Sequence, residues 1–447
     1  MEQSAAKPIK EVIVVGGGIG GLTTALALSR ISGLKVRVLE KARSYSPTAG
    51  AGFGFSPNGQ LCLVGLGIPK KEVQALIHPI KRTILSEGRG ATKSPLTDNE
   101  NYAELGPNFG FFFGGALRAN TVNLLYKHLG KAGVRVDFNT QVTNVEQEEN
   151  GHSKVKITLN GGRQLLTDMV VGADGIGSTV AKCVFNGPGE RRPLVYSKEN
   201  IFYGVVDEDS SRTIPTKTAH FRNPFLGLAN TMYLIFDKGE FITFRCGRHQ
   251  QRGQGSSNPS HDPLIWALTY RSKTPPDRAQ WGTDSRCREE LERVLSRLHP
   301  SHPAREMVDI TRPECLTHFG IFYQRFKTKW HRGRVVLMGD AAHATLPYVG
   351  MGAIQAIEDS YVLAQCLKKH NAVAEPAFQE FYQRRSARTK KFVDLATTLG
   401  KLYHVENPML AWARDRLLTF VLGSKASFDV IKKEVLEDCP VDYRDFL

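Results

Sequence analysis

Residues 11–40 constrain this chain more than any other stretch. EVIVV, from Glu11 to Val15, is β-branched and apolar throughout, as a strand buried on both faces should be. Gly16-Gly17-Gly18-Ile19-Gly20-Gly21 follows at once. Leu22 to Ser29 then carries apolar positions at helical spacing, and KVRVL, from Lys35 to Leu39, reads as a second strand ending at Glu40. The pattern predicts a βαβ unit within about 30 residues. Gly16, Gly18 and Gly21 fit G-x-G-x-x-G, in which the first glycine makes the tight turn and the second lets a pyrophosphate approach the backbone. The third lets helix and strand pack closely, while the helix start offers N–H groups to phosphate. Glu40 is placed to accept a 2′-hydroxyl of an adenosine ribose. An adenine dinucleotide is the expected ligand; the fingerprint alone leaves FAD and NAD both open.

At 447 residues the chain is long enough for two or three units. Its 41% hydrophobic and 23% charged content is that of an ordinary globular protein, which excludes wholesale disorder, a coiled coil and a collagen-like fibre. No apolar run approaches the ~18 residues of a membrane span, and Leu417 to Leu422 is flanked by Arg416 and Lys425. The first ten residues lack the apolar segment of a signal peptide. The expectation is a soluble, cytoplasmic protein with no membrane span. The net charge of +15 is scattered, and the cluster of Arg384, Arg385, Arg388, Lys390 and Lys391 reads as a solvated helix face beside Tyr382 and Phe392. Nucleic acid is therefore not an expected partner, although an anionic cofactor and an anionic reductant would profit from such a field. The seven cysteines are isolated and free of C-x-x-C spacing, so free thiols are expected and no metal site.

Three further segments narrow the choice. Gly50-Ala51-Gly52-Phe53-Gly54-Phe55 is a Gly-rich loop leading into a helical pattern at Gln60 to Leu66. Asp168 to Gly172 reads as a buried strand running into Ala173-Asp174-Gly175. Arg334 to Met338 is another, ending in Gly339-Asp340-Ala341-Ala342-His343, followed by Pro347, Gly350-Met351-Gly352-Ala353 and a helix from about Ile354 to Lys369. In this order the motifs resemble those of the group A flavoprotein monooxygenases, the family of para-hydroxybenzoate and salicylate hydroxylases and zeaxanthin-epoxidase-like enzymes. The resemblance spans roughly residues 10 to 400. It implies FAD as cofactor and NAD(P)H as co-substrate, with Asp174 in the segment serving both. Asp340 would lie on the ribityl chain, and Arg118 in Leu117-Arg118-Ala119-Asn120 would match the family's helix-opening arginine. The cofactor contacts so implied are Gly16, Gly18, Gly21, Glu40, Ala51, Gly52, Gly54, Arg118, Asp174, Asp340, Gly350, Gly352 and Ala353. The chemistry of these groups agrees: Asp340 can accept hydroxyl hydrogen bonds, Arg118 is a planar donor for phosphate or ribose, and the helix start at Gly350 to Ala353 favours a reduced, anionic flavin edge. His343 belongs to the same motif and is read as structural. Tyr382, Arg385 and Arg388 match the family's C-terminal helical pattern.

The chain departs from the family at two places. Ser178-Thr179-Val180-Ala181-Lys182 stands where the family has Ser-x-Val-Arg, and Tyr203-Gly204-Val205-Val206 stands where it has Arg-Gly-Val-Val. Tyr203 and Tyr233 are the candidate catalytic residues, each a phenol able to hydrogen-bond or help deprotonate a substrate hydroxyl. Strands are expected at Asn200 to Val206, Thr218 to Arg222, Met232 to Phe236, Phe241 to Arg245 and Leu264 to Arg271. A two-residue Lys238-Gly239 turn would set Phe236 against Phe241 and Tyr233 against Phe244. Gln250 to Pro263 is a polar loop without assigned chemistry, and helices are expected at Asp284 to Leu298, Ala377 to His404 and Met409 to Leu422.

The expected fold is α/β: an FAD-binding, Rossmann-like domain interleaved with a mostly antiparallel β-sheet substrate domain and closed by C-terminal helices. The expected division is 8–187 for the first part of the FAD-binding domain with an excursion near 75–115, 188–309 for the substrate domain, 310–395 for the second FAD-binding part, and 396–447 for the helical end. The implied activity uses NAD(P)H and O2 to hydroxylate or epoxidise an electron-rich aromatic or alkene substrate through a C4a-hydroperoxyflavin. A flavin reductase or dehydrogenase without oxygen insertion, or a non-catalytic flavin-binding regulator, are the alternatives. A flavin halogenase is disfavoured because no Trp-x-Trp-x-Ile-Pro segment is present. The sequence leaves the oligomeric state open.

Overall fold

The structure is a computed structural model describing residues 7–45, 51–88, 95–147, 154–185, 187, 190, 193–206, 223–247, 262–277, 279–433 and 439–441. The expected strand at Thr218 to Arg222 and most of the Gln250 to Pro263 loop lie outside these residues.

The first strand, Glu11–Val15, sits in the middle of a six-stranded sheet between Met169–Gly172 and Lys35–Leu39. All three run parallel, as do Arg135–Asp137 on one side and Val335–Leu337 on the other; only the edge pair with His331–Arg332 is antiparallel. Continuous burial of Val12 to Val15 explains why this segment shows no polar alternation. Helix Ile19–Ser29 packs between helices Arg118–Lys131 and Gly352–Lys369, which accounts for its apolar composition all round. A three-stranded antiparallel meander, Val142–Glu146, Val155–Leu159 and Gln164–Thr167, precedes the return to the parallel sheet.

The second unit is an eleven-stranded sheet. Its central antiparallel run joins Leu316–Tyr323, the long strand Val195–Val206, Leu264–Arg271, Glu240–Gly247 and Thr231–Phe236. Strands from the excursion, Arg82–Glu87 and Gly114–Leu117 among them, complete it. One face carries Phe202, Tyr233, Ile235, Phe241 and Trp266 and is covered by helix Ser285–Leu295. The other carries Ile201, Tyr203, Leu234, Phe236 and Phe244 and meets the nucleotide-binding unit, helix Ala374–Tyr403 and helix Pro408–Gly423.

The hairpin differs from expectation by one residue. Phe236 pairs with Glu240, Ile235 with Phe241 and Tyr233 with Thr243, so the loop is Asp237-Lys238-Gly239. The single-residue shift sends Phe236 and Phe241 to opposite faces, because side chains alternate along a strand. Gly239 serves close packing: a Cβ there would lie 1.9 Å from the Thr269 carbonyl oxygen.

Candidate cofactor site

The Gly-rich turn behaves as its spacing requires. Gly16 takes φ +105°, and a Cβ on Gly21 would fall 1.9 Å from the Gly16 carbonyl oxygen, so helix and strand touch there. A Cβ on Gly18 would meet only the Arg118 guanidinium, at 3.7 Å, which leaves open space in front of an uncapped helix start. Glu40 accepts the Gly17 N–H at 2.6 Å and the Ala42 N–H at 2.7 Å, fixing its carboxylate beside the turn. Tyr45, Tyr126 and Phe138 form an edge-to-face aromatic group next to it. The Tyr45 hydroxyl is buried with no hydrogen-bond partner among the described residues. Burial raises its pKa, Glu40 and Tyr126 add to the rise, and Arg118 opposes it.

Arg118 opens helix Arg118–Lys131, and its backbone N–H donates to the Ala51 carbonyl at 3.1 Å. Strand Gly52–Phe55 pairs antiparallel with Gly114–Leu117 beside it. The glycines of this strand are shaped by protein: a Cβ on Gly52 would meet Cys246 Sγ at 2.6 Å, and one on Gly54 the Phe113 ring at 2.7 Å.

Asp340 begins the short helix Asp340–His343 just beyond strand Val335–Leu337. Its surface is accessible, yet surrounding protein raises its carboxyl above the usual range, with His343 and Arg118 pulling the other way. Gly350, at φ +67°, leads into helix Gly352–Lys369, whose start carries no side-chain cap. A Cβ on Gly350 would touch nothing within 4 Å and one on Gly352 only Thr345, at 3.7 Å, so the face of this turn is open.

Asp174 is engaged within its own turn. It accepts from the Ser178 hydroxyl at 2.5 Å and from the Thr179 and Val180 N–H groups at 2.6 and 3.1 Å, holding the start of helix Thr179–Val184.

Behind Asp340 lies a buried ionic knot that the sequence reading missed. Arg385, expected on a solvated face, is 1% exposed. It donates to Glu358 at 2.5 Å, to Asp359 at 2.8 Å and to the Gln355 side chain at 2.6 Å. Arg388 adds a second cation on Glu358 at 2.9 Å, and Asn58 donates to the same carboxylate at 2.5 Å. Asp359 also accepts the Gly339 N–H at 3.0 Å and faces His343 Nε2 at 2.6 Å. Burial opposes ionisation of Asp359, but His343 and Arg385 outweigh it and pull its carboxyl down to about 2. The knot ties helix Ala374–Tyr403 to helix Gly352–Lys369 and to the turn bearing Asp340. The signal available in sequence was the pair Glu358-Asp359, two adjacent acids in an otherwise apolar helical pattern.

The two candidate tyrosines are not brought together. The Tyr203 hydroxyl donates to the Gly52 carbonyl at 2.6 Å, on the face toward the cleft. Tyr233 lies on the opposite face, where Asn223 donates to its hydroxyl at 3.2 Å. Strand alternation separates them, so they cannot line one pocket. Among the described residues no group of three or more His, Cys, Asp and Glu side chains could hold a metal ion, and no helix is long and apolar enough to cross a membrane.

The donor set fits FAD. The open glycine turn and Arg118 suit a pyrophosphate, Glu40 and the unsatisfied Tyr45 hydroxyl suit the adenosine end, and Asp340 suits a polyhydroxyl chain. The uncapped start of helix Gly352–Lys369 suits an electron-rich ring edge.

Comparison with known proteins agrees with this geometry. The model of the FAD binding domain family matches residues 10–192 and 236–396. Salicylate hydroxylase of Pseudomonas putida is 29% identical over 425 residues, covering 91% of this chain and 88% of that one. The 3-hydroxybenzoate 6-hydroxylase of Polaromonas naphthalenivorans is 26% identical, covering 88% of each. Klebsiella pneumoniae HpxO, solved with FAD and uric acid, superposes with a TM-score of 0.76 at 21% identity, covering 97% of this chain and 98% of that one, and so shares the fold. The motifs along the chain, the geometry they share and the span of the family match together show that this protein belongs to the FAD binding domain family, alongside a salicylate hydroxylase and a 3-hydroxybenzoate 6-hydroxylase.

Proposed function

We infer that the chain is an FAD-dependent monooxygenase that inserts one oxygen atom into an electron-rich small organic substrate, with NAD(P)H as reductant and O2 as oxidant. One observation carries this reading. Arg118 stands in front of the open turn at Gly18 and within electrostatic reach of Asp340, the helix start at Gly352 is open, and the sheet face bearing Tyr203 is fastened to strand Gly52–Phe55. The names of the relatives, salicylate and 3-hydroxybenzoate hydroxylases, point to an aromatic substrate.

FAD, once bound, supplies the electron transfer and oxygen activation. The chain's own residues do the rest. Gly16 to Gly21 and Arg118 bind the anionic middle of the cofactor, and Glu40 holds the turn that receives it. Asp340 accepts hydroxyl hydrogen bonds, while N–H groups at Gly352 and Ala353 favour negative charge at the ring edge. The apolar sheet face, with Ile201, Leu234 and Phe244, excludes water from the reacting atoms. Tyr203 braces Gly52 and through it the strand beside the cofactor; its hydroxyl is already committed to a carbonyl. Tyr233 is a core tyrosine in this reading. Asp174 caps its helix, and a cofactor contact there would be additional.

The test is a purified yellow protein screened against aromatic and alkene compounds for stimulated NAD(P)H oxidation, with mass spectrometry of the product. Gain of one oxygen atom is expected. Steady NAD(P)H consumption without an oxygenated product would instead identify a reductase. Asp340→Ala should lower FAD retention on a desalting column; a wild type that neither carries nor takes up FAD would overturn the reading.

A further inference from the structure

The long strand Val195–Val206 is interrupted near its start. Its pairing with strand Leu316–Tyr323 shifts register between Tyr196 and Asn200, and Lys198 takes φ +66°, a strained conformation for a residue with a side chain. Bulges of this kind re-aim side chains and gather near active sites. Here the next residue, Glu199, is 6% exposed and sits on the same face as Ile201 and Tyr203.

Glu199 is met by two elements. Tyr348 donates its hydroxyl to Glu199 at 2.6 Å, and His404, just past helix Ala374–Tyr403, places Nδ1 at 3.3 Å. His404 is oriented by the Gly400 carbonyl at 2.9 Å and by Thr269 at 3.1 Å. Room for the Tyr348 ring comes from Gly400, where a Cβ would lie 2.7 Å from Cε2. Glycine is a weaker helix former than alanine, so the ring's seat is built at some expense. Tyr196, Glu240, Arg271 and Arg414 are the other titratable groups whose charges reach this cluster. Tyr348 lies in the turn Pro347–Val349, whose last bond, Gly350 N–H to Pro347 carbonyl at 2.9 Å, leads directly into the open helix start.

We propose that Glu199 is a positioning residue for the cofactor-facing turn: held by His404, it anchors Tyr348 and thereby sets where the N–H groups of Gly352 and Ala353 stand. The anchor joins the substrate sheet to the cofactor's edge. This rests on the FAD reading of that helix start. The molecule contains its own control. On the far face of the same sheet Tyr270 donates to Glu290 at 2.7 Å and contacts His318 at 2.8 Å, a cluster of the same chemistry that meets the strand through Asn200, which donates to the Tyr270 hydroxyl at 3.3 Å, rather than through Tyr348.

The experiment compares holoprotein carrying Tyr348→Phe, Glu199→Gln or Tyr270→Phe, reading FAD dissociation by fluorescence and the flavin midpoint potential by dye equilibration. Tyr348→Phe keeps the ring and its packing, so it tests the anchor even if Glu199→Gln fails to fold. Tyr348→Phe is expected to weaken FAD binding roughly fivefold, as loss of a charge-assisted hydrogen bond does. It should also move the potential to more negative values, because displaced N–H donors stabilise the reduced anion less. Tyr270→Phe should move neither. Wild type and Tyr348→Phe with equal affinity and equal potential, or equal shifts in Tyr348→Phe and Tyr270→Phe, overturn the proposal while leaving the FAD reading intact. Failure of the wild type to take FAD overturns both.

Discussion

Two buried ionisable clusters flank the cofactor cleft, and they are built on opposite principles. In the knot behind Asp340, two carboxylates, Glu358 and Asp359, meet two guanidinium groups, Arg385 and Arg388, at hydrogen-bond distance. Near the Pro347 turn, Glu199 and Glu240 meet a histidine and phenols. Arg414, buried nearby, donates to the carbonyls of Phe236 and Tyr403 and to Asp415. Charge in the first cluster is compensated, so each acid stays ionised. In the second, burial and the neighbouring Glu199 raise the Glu240 carboxyl to about 8. Compensation makes a fixed joint, and its shortage makes a joint that answers to protons.

The largest effect is expected from breaking the compensated cluster. Arg385→Leu strands Glu358 and Asp359 without their main cation and should cost about 3–5 kcal/mol in chemical denaturation, with loss of bound FAD. A loss below about 1 kcal/mol would show that the knot is solvated and the contrast unreal.

Proton dependence separates the clusters next. Asp359 is depressed from 3.8 to about 2, so its stabilisation is present above pH 3.8 and is lost as pH falls toward 2. Glu240 is raised from 4.5 to about 8, so the folded state keeps a proton that the unfolded chain releases. Stability should therefore fall as pH rises from 4.5 to 8. Glu240→Gln, neutral throughout, should flatten that decline and at pH 8 stabilise the fold by on the order of 1–3 kcal/mol. Thermal melts across the range check this; an unchanged slope in Glu240→Gln would assign the decline elsewhere.

The smallest effects sharpen the contrast between sheet faces. Tyr203→Phe removes the 2.6 Å bond to Gly52 and should cost about 1 kcal/mol together with some FAD affinity. Tyr233→Phe loses a longer contact and should cost less than about 1 kcal/mol without touching FAD. Equal losses of FAD in both would mean that the faces are not independent.

The parts legible in the sequence were those in which local spacing alone sets geometry. The turn from Gly16 to Gly21 is dictated by contacts within a few residues, and the strand at Glu11–Val15 by its own composition. The hairpin register was not legible because Gly239 answers to Thr269, thirty positions away, rather than to its own turn. Arg385 was misread for the same reason: its partners lie on another helix, and a helical charge pattern is silent about what faces it. The face of Tyr233 is silent in the sequence too, because a one-residue parity decides it and strand resemblance does not carry parity.

Chain order adds a consequence for synthesis. Strand Glu11–Val15 is made long before Val335–Leu337, which completes its sheet, and the joint beneath Asp340 closes only when Arg385 has been made. Contacts so far apart in sequence are slow to form. A nascent chain thus carries an unfinished nucleotide site through most of translation, with apolar edges such as Val170 and Val171 waiting for partners. Truncation ahead of residue 385 should yield a protein dependent on chaperones and colourless, whereas trimming beyond helix Pro408–Gly423 should leave the cofactor site closed.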